Sequence, residues 1–283
     1  MDPEAPDPSP PTEDAPIEAT QVQDAQIQDA QIEDAQVEVA QVEVADDAEA
    51  RPQPRWGIGD VILGLVVGLL LSSVLASVWL GVSGDEELSI GGKAFGQMGL
   101  WIGLVGAPVL ATRRKGSGSL ATDFGWRFRW VDVALGLAVA VAALLVIVPV
   151  VGLLLRPLLG DPDVSQPVKD LVDEAHGPAL IGLVLIAVVG APLVEELFFR
   201  GLLLRSIEKS VGAGWAIAGS SVFFGLSHPN DLPAEAQVLV MAALAALAVA
   251  LATVAIKTRR LGAAIVAHAL FNAVNLAVTV AGN

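Results

Sequence analysis

Long uncharged apolar runs limit this chain more than any other feature. A bilayer-spanning helix needs about 17–25 mostly apolar residues. Seven stretches meet that requirement: 61–82, 94–112, 133–155, 177–194, 210–230, 236–256 and 261–283. Backbone groups in hydrocarbon must be satisfied within their own segment, so each stretch reads as a helix. The expected fold is all-α, a polytopic membrane helical bundle of about seven transmembrane helices with the bilayer as solvent. The stretch 177–194 is the shortest and runs directly into charged residues.

Charge divides the chain into two parts. Residues 1–50 hold 15 acids and no base, which is the whole formal charge of −15. The remainder is neutral, with no basic surface to meet phosphates, so a nucleic-acid binder is excluded. With no cysteine, disulfide scaffolds and thiolate metal sites are excluded too. Residues 1–55 read as a disordered, acidic, low-complexity tail ahead of a transmembrane domain over 56–283. Five pentapeptides, QVQDA to QVEVA, fill 21–45. A five-residue period spreads apolar side chains around a helix instead of gathering them on one face. Low hydrophobicity and high net charge complete that reading. There is no basic stretch of the kind that opens a signal peptide.

Lysine and arginine in the short loops set orientation. Thirteen of the 16 bases fall on one side; Lys93, Arg156 and Lys169 fall on the other. The expected topology has the N-terminus cytoplasmic and the C-terminus outside. The outer loops are acidic, at Asp85–Glu87 and from Asp161 to Glu174. The segment 120–131 mixes arginine with tryptophan and phenylalanine and reads as an interfacial helix on the inner face. The Ala-, Gly- and Val-rich composition suggests a bacterial plasma membrane.

Ionisable residues inside spans are costly and by default mark function. Glu195 and Glu196 end the fourth span, His228 ends the fifth, and His268 lies within the seventh, followed by Asn272 and Asn275. Asp60 and Asp132 stand at span entrances, where carboxylates suit a helix N-terminus. His176 reads as exposed in an acidic outer loop. The midpoint of 195 and 228 falls in the turn Val211–Gly214, so Glu195 and His228 are level in an antiparallel hairpin. His268 lies about 12 Å beyond Arg260 along its helix. The depths agree if 200–212, with Arg200, Arg205 and Lys209, protrudes from the membrane. His268, Asn272 and Asn275 share one helix face. Glu196 and Arg200 stand at i, i+4, the favourable pairing order, which leaves Glu195 for the histidines. The bland alternative for such polar residues is glue between helices.

Zinc-dependent intramembrane proteases need HExxH, which is absent, and no suitable pair of intramembrane aspartates exists. A serine mechanism would need Ser227 with His268 and leaves Glu195 unexplained. The remaining motifs are EELFFR (195–200) as EExxxR, FGLSH (224–228) as FxxxH and HALFN (268–272) as HxxxN. Together they resemble the CPBP family: type II CAAX prenyl proteases and bacterial relatives in bacteriocin processing and self-immunity. The resemblance covers roughly residues 120–280. The first two spans add nothing to it.

The resemblance implies an intramembrane endopeptidase that cleaves a peptide or protein substrate in a cavity open to the cytoplasm. Glu195 would be the general base, activating a water with His228. His268 and Asn272 would hold that water or stabilise the oxyanion, with Glu196, Arg200 and Phe224 in support. Glu195, His228 and His268 are a credible zinc set, and the same residues can work without metal. Gly190, Pro192 and Gly201 permit a kinked helix beside the motif. Two further readings stay open: a non-catalytic membrane binding or immunity protein of the same family, and a small transporter component. The partners expected are the lipid bilayer and a polypeptide substrate, with no nucleic acid.

Overall fold

The computed structural model describes residues 54–228 and 231–282. The expected tail lies outside them but for its last two residues. The described residues form helices joined by short turns, with no strand among them. In chain order these are α1 (Ile58–Ser83), α2 (Ile90–Lys115), α3 (Leu120–Asp123), α4 (Val131–Leu159), α5 (Gln166–Glu174), α6 (Pro178–Val211), α7 (Ala213–Leu226), α8 (Ala234–Thr258) and α9 (Gly262–Gly282). Six are long and apolar enough to cross a membrane: α1, α2, α4, α6, α8 and α9. The fifth expected span, 210–230, is shorter than its apolar run. Its helix α7 has 14 residues, about 21 Å at 1.5 Å per residue, against a hydrocarbon core of about 30 Å. Gly212, at φ +86°, separates it from α6.

Hydrophobic side chains stand outward along α1 and α4, among them Leu63, Leu70, Leu145 and Leu153. This is the surface expected where lipid takes the place of water. The protein interior gathers instead around the second half of α6. From Glu196 to Leu204 every residue is buried, packed with Phe124, Ala216, Phe224, Ala248, Ala252 and Leu261.

α1 and α2 pack through a glycine seam. A Cβ on Gly103 would stand 2.4 Å from the carbonyl oxygen of Gly64 and from the backbone of Gly68. One on Gly99 would meet the backbone of Leu71 at 2.6 Å. Small residues let backbones approach where no hydrophobic force drives helices together in lipid.

Ion pairs and hydrogen bonds tie the helix ends into two opposite groups. At one end Lys115 pairs with Asp60 at 2.7 Å, Arg259 with Glu208 at 2.9 Å, and Arg260 grips Asp132 through two bonds of 2.6 and 3.2 Å. Lys209 donates to the carbonyl of Trp56 and lies over its ring. Asp60 also accepts from the N–H of Gly57, and Asp132 from that of Arg129. Both carboxylates therefore serve helix starts and ion pairs, as their positions suggested. At the other end Glu174 of α5 accepts from the first N–H of α2, at Ile90, and pairs with Lys93 at 2.9 Å.

Two expectations change. The interfacial helix expected over 120–131 is helical at Leu120–Asp123 and then only at Val131, where α4 begins. Gly125 breaks it at φ +70°, where a Cβ would lie 2.5 Å from the carbonyl oxygen of Arg259. Phe124 turns into the core against Trp56, while Phe128 and Trp130 stay exposed. Arg200, expected to protrude with 200–212, is buried inside the bundle.

The glycine seam makes a prediction. Gly103→Ala forces α1 and α2 apart and costs about 1–3 kcal/mol by overpacking, read as a fall of several degrees in melting temperature in detergent. Gly106→Ala, whose Cβ meets nothing within 4 Å, leaves the melting temperature unchanged or higher.

Candidate active site

The site is built on α6, whose hydrogen bonding widens twice to the π pattern, at Leu185–Gly190 and at Glu196–Leu203. Pro192 supplies one cause. It has no N–H to give to the preceding turn and its ring crowds that turn, and π turns accommodate such interruptions, commonly at functional sites. The carbonyl of Ala187 in the first π turn is taken by the Asn272 amide of α9 at 2.8 Å. The expected kink in this helix is thus a pair of π turns around Pro192.

Glu196 lies at the centre. Its Oε1 accepts from Arg200 Nη1 at 2.9 Å and from His268 Nδ1 at 2.8 Å. The side chains of all three are nearly or fully excluded from the surface. The Arg200 guanidinium sits over the Phe224 ring, 4.3 Å from its centroid, a cation–π contact strengthened by desolvation. The same ring meets His268 edge-on at 5.8 Å and lies 4.6 Å from the His228 ring. Phe224 is fully buried. One aromatic side chain therefore touches every basic group of the cluster.

The two imidazoles are oriented alike. His228 Nδ1 donates to the Phe224 carbonyl at 2.7 Å, and His268 Nδ1 donates to Glu196. In each ring this leaves Nε2 as the second nitrogen. Those two nitrogens stand 3.7 and 3.9 Å from Oε2 of Glu195. That oxygen is buried with no hydrogen-bond partner among the described residues. Both spacings exceed a direct hydrogen bond.

Glu195, Glu196, Arg200, Phe224, His228 and His268 are thus brought together. The expected division, with Arg200 for Glu196 and the histidines for Glu195, is only part of the arrangement, because Glu196 also holds His268. Asn272 stands one helical turn from His268 and is occupied at the π turn. Asn275 is exposed and bonds within its own helix to Phe271. The Ser227 hydroxyl is bonded to the Phe224 carbonyl, the partner His228 also uses. His176 is exposed in the outer loop, as expected.

Glu195 Oε2 stands 3.7 and 3.9 Å from the two Nε2 atoms, slightly wider than the ligands of a formed zinc site. Tetrahedral ligands at 2.0–2.2 Å from zinc lie about 3.4 Å from one another, closer than these atoms. Among the described residues no three metal-ligating side chains close on a common point.

A cavity of about 360 Å³ has Glu195 in its wall. Its other walls come from the first half of α6, from Leu171 of α5, and from Lys93, Gln97 and Trp101 of α2. These α2 residues escaped the sequence reading, which treated the second span as an ordinary apolar helix. Their signal was present: i, i+4, i+8 places three polar-tipped side chains on one face. The cavity lies at the end of the bundle where Lys93 meets Glu174. α6 is buried from Glu196 to Leu204, whereas from Pro178 to Glu195 only Pro192 is buried.

A family model described as Type II CAAX prenyl endopeptidase Rce1-like matches residues 177–274. The match runs from the start of α6 into α9 and contains both glutamates, both site histidines and Asn272. No curated protein and no solved structure matches.

Two outcomes follow. Arg200→Met leaves Glu196 a buried charge short of its cation, at a cost of about 3–5 kcal/mol. Thermal melting should show a loss larger than that of the double variant Arg200→Met, Glu196→Gln, which removes both charges. The pairing with Lys93 holds the Glu174 carboxyl below its ordinary value of 4.5, against the partial burial that raises it. A lowered folded value means that this link contributes fully above about pH 4.5 and is lost as pH falls through the folded value. Hydrogen exchange of α5 should therefore be constant from pH 7 to 5 and quicken below, relative to the α5 of a Glu174→Gln variant.

Proposed function

We propose that this integral membrane protein, whose residues 177–274 form an Rce1-like domain of the intramembrane-protease type, hydrolyses a peptide bond with Glu195 as general base. The observation that carries the reading is the convergence of His228 Nε2 and His268 Nε2 on Glu195 Oε2 at 3.7 and 3.9 Å. A single water bridges atoms at such spacings with ordinary hydrogen bonds.

In this reading Glu195 takes a proton from the water as its oxygen bonds to the scissile carbonyl carbon. The carbonyl oxygen becomes the oxyanion of a tetrahedral intermediate. The cluster holds two carboxylates and one guanidinium, so one protonated imidazole makes it neutral. That imidazole presents Nε2–H to the oxyanion, because its Nδ1–H is already engaged. Collapse restores the carbonyl and breaks the C–N bond, and the leaving amine takes the proton held by Glu195. Glu196, Arg200 and Phe224 fix the two rings, and Asn272 fixes the helix that carries Glu195. The orientation that goes with it has the N-terminus cytoplasmic and the C-terminus outside, in a bacterial plasma membrane.

Glu195→Gln keeps the shape and cannot accept the proton. It should reduce cleavage of a fluorogenic peptide by about 10²-fold or more with an unchanged melting temperature. Glu196→Gln should lower the melting temperature, because Arg200 and His268 both lose their charged partner. Full activity in Glu195→Gln would refute the assignment of the base. Turnover abolished by 1,10-phenanthroline and restored by zinc would replace the metal-free step. A pure protein that cuts no peptide, with Glu195→Gln indistinguishable from it, would favour the non-catalytic reading.

A further inference from the structure

Near the end of α6 one guanidinium lacks the partner that its neighbours have. Lys115, Arg259 and Arg260 stand at the same end of the bundle, and each meets a carboxylate, from Asp60, Glu208 and Asp132. Arg205 meets none among the described residues. It is half-buried, and its Nε is buried with no hydrogen-bond partner. The charges that act on it are those of Arg259 and Glu208. Glu208 is already committed, with Oε2 2.9 Å from Nη1 of Arg259. Two guanidiniums therefore share one carboxylate, and one positive charge is left over. A guanidinium partly withdrawn from water and set beside a second one is costly unless an anion compensates it.

The backbone around Arg205 holds the two arginines together. Gly125, at φ +70°, lies against both: a Cβ there would stand 2.5 Å from Arg205 Nη2 and 2.5 Å from the carbonyl oxygen of Arg259. The Leu261 N–H donates to the Gly125 carbonyl at 2.9 Å, which ties this loop to the turn between α8 and α9. Arg259 occupies that turn at φ +55°, the one non-glycine residue with positive φ among the described residues. Glycine or asparagine usually fills such a place at a helix end. An arginine there carries a backbone cost, and its side chain reaches Glu208 beside Arg205.

The depth and the donor chemistry name the anion. Arg205 lies six residues before the end of α6, near the level where α8 ends and α9 begins. The apolar spans give way there to the headgroup region. Both leaflets present phosphates at that depth, whichever way the chain is oriented. A guanidinium fork matches two oxygens of a phosphate.

We propose that Arg205 and Arg259 form a phosphate-binding site at the edge of the Gly125 turn, filled by the headgroup of a membrane glycerophospholipid or by free phosphate. The site is separate from Glu195 and does not depend on the peptidase reading.

The test uses the full-length chain, purified and delipidated in detergent. Added phosphatidylglycerol should raise the melting temperature by several degrees, and diacylglycerol, which lacks the phosphate, should not. Arg205→Gln should abolish the rise. Without lipid, Arg205→Gln should melt no lower than the unmodified chain, because it removes an uncompensated charge. Arg114→Gln, which removes an exposed base at the same end, should keep the full rise. Arg205→Lys keeps the charge without the fork and should retain only part of it; this variant stands in where Arg205→Gln fails to fold. A rise with millimolar inorganic phosphate alone, lost in Arg205→Gln, supports the site and assigns it to soluble phosphate. An equal lipid response in the unmodified chain and both Arg205 variants overturns the proposal. No response of the unmodified chain to either phosphate probe overturns it as well.

Discussion

The structure depends on one buried carboxylate. Glu196 sits where an isolated charge would be prohibitively costly, and three groups offset that cost. Arg200 supplies the opposite charge from the same helix, His268 a hydrogen bond from α9, and Phe224 of α7 covers the guanidinium. The contact is thus a three-helix joint as well as a site component. It fixes α6, α7 and α9 in register, and with them the depth of both imidazoles. Moving any of the three helices by one residue would break a contact that cannot be remade with water.

Much of this was legible in the sequence. The apolar runs gave the helices, because lipid leaves few alternatives to a helix. The charged positions stood out because hydrocarbon tolerates so few. The i, i+4 spacing of Glu196 and Arg200 survives in the structure even though that stretch of α6 is π-helical. Periodicity could not give how deep a charge lies. Arg200 looks like a boundary residue by composition and is an interior one, since its boundary is set by tertiary contacts from α7 and α9. The π turns left only an indirect trace, in Gly190 and Pro192. Trp101 and Gln97 were missed because a tryptophan and a glutamine in an apolar helix read as packing until the facing helix is known.

α6 works as two half-helices with different tasks. Its first half, with the π turn held by Asn272, is loosely packed and lines the cavity. Its second half is the axis of the core. Glu195 falls at the junction, with a rigid support behind it and open space ahead. In the peptidase reading proposed above, a base placed there would be held firmly without being sealed off. One carbonyl of the first half, that of Ala187, is taken by the Asn272 amide of α9.

The shortness of α7 has a consequence for the lipid itself. A helix of 14 residues that starts level with the arginine-rich ends stops about a third of the way short of the far side of the hydrocarbon core. His228 follows two residues beyond its end. Lipid adjusts to a short hydrophobic element by thinning around it. Thinning of that kind would bring the far interface nearer to the histidine. In the peptidase reading, such a dent in the bilayer would bring water to the site without a channel to carry it.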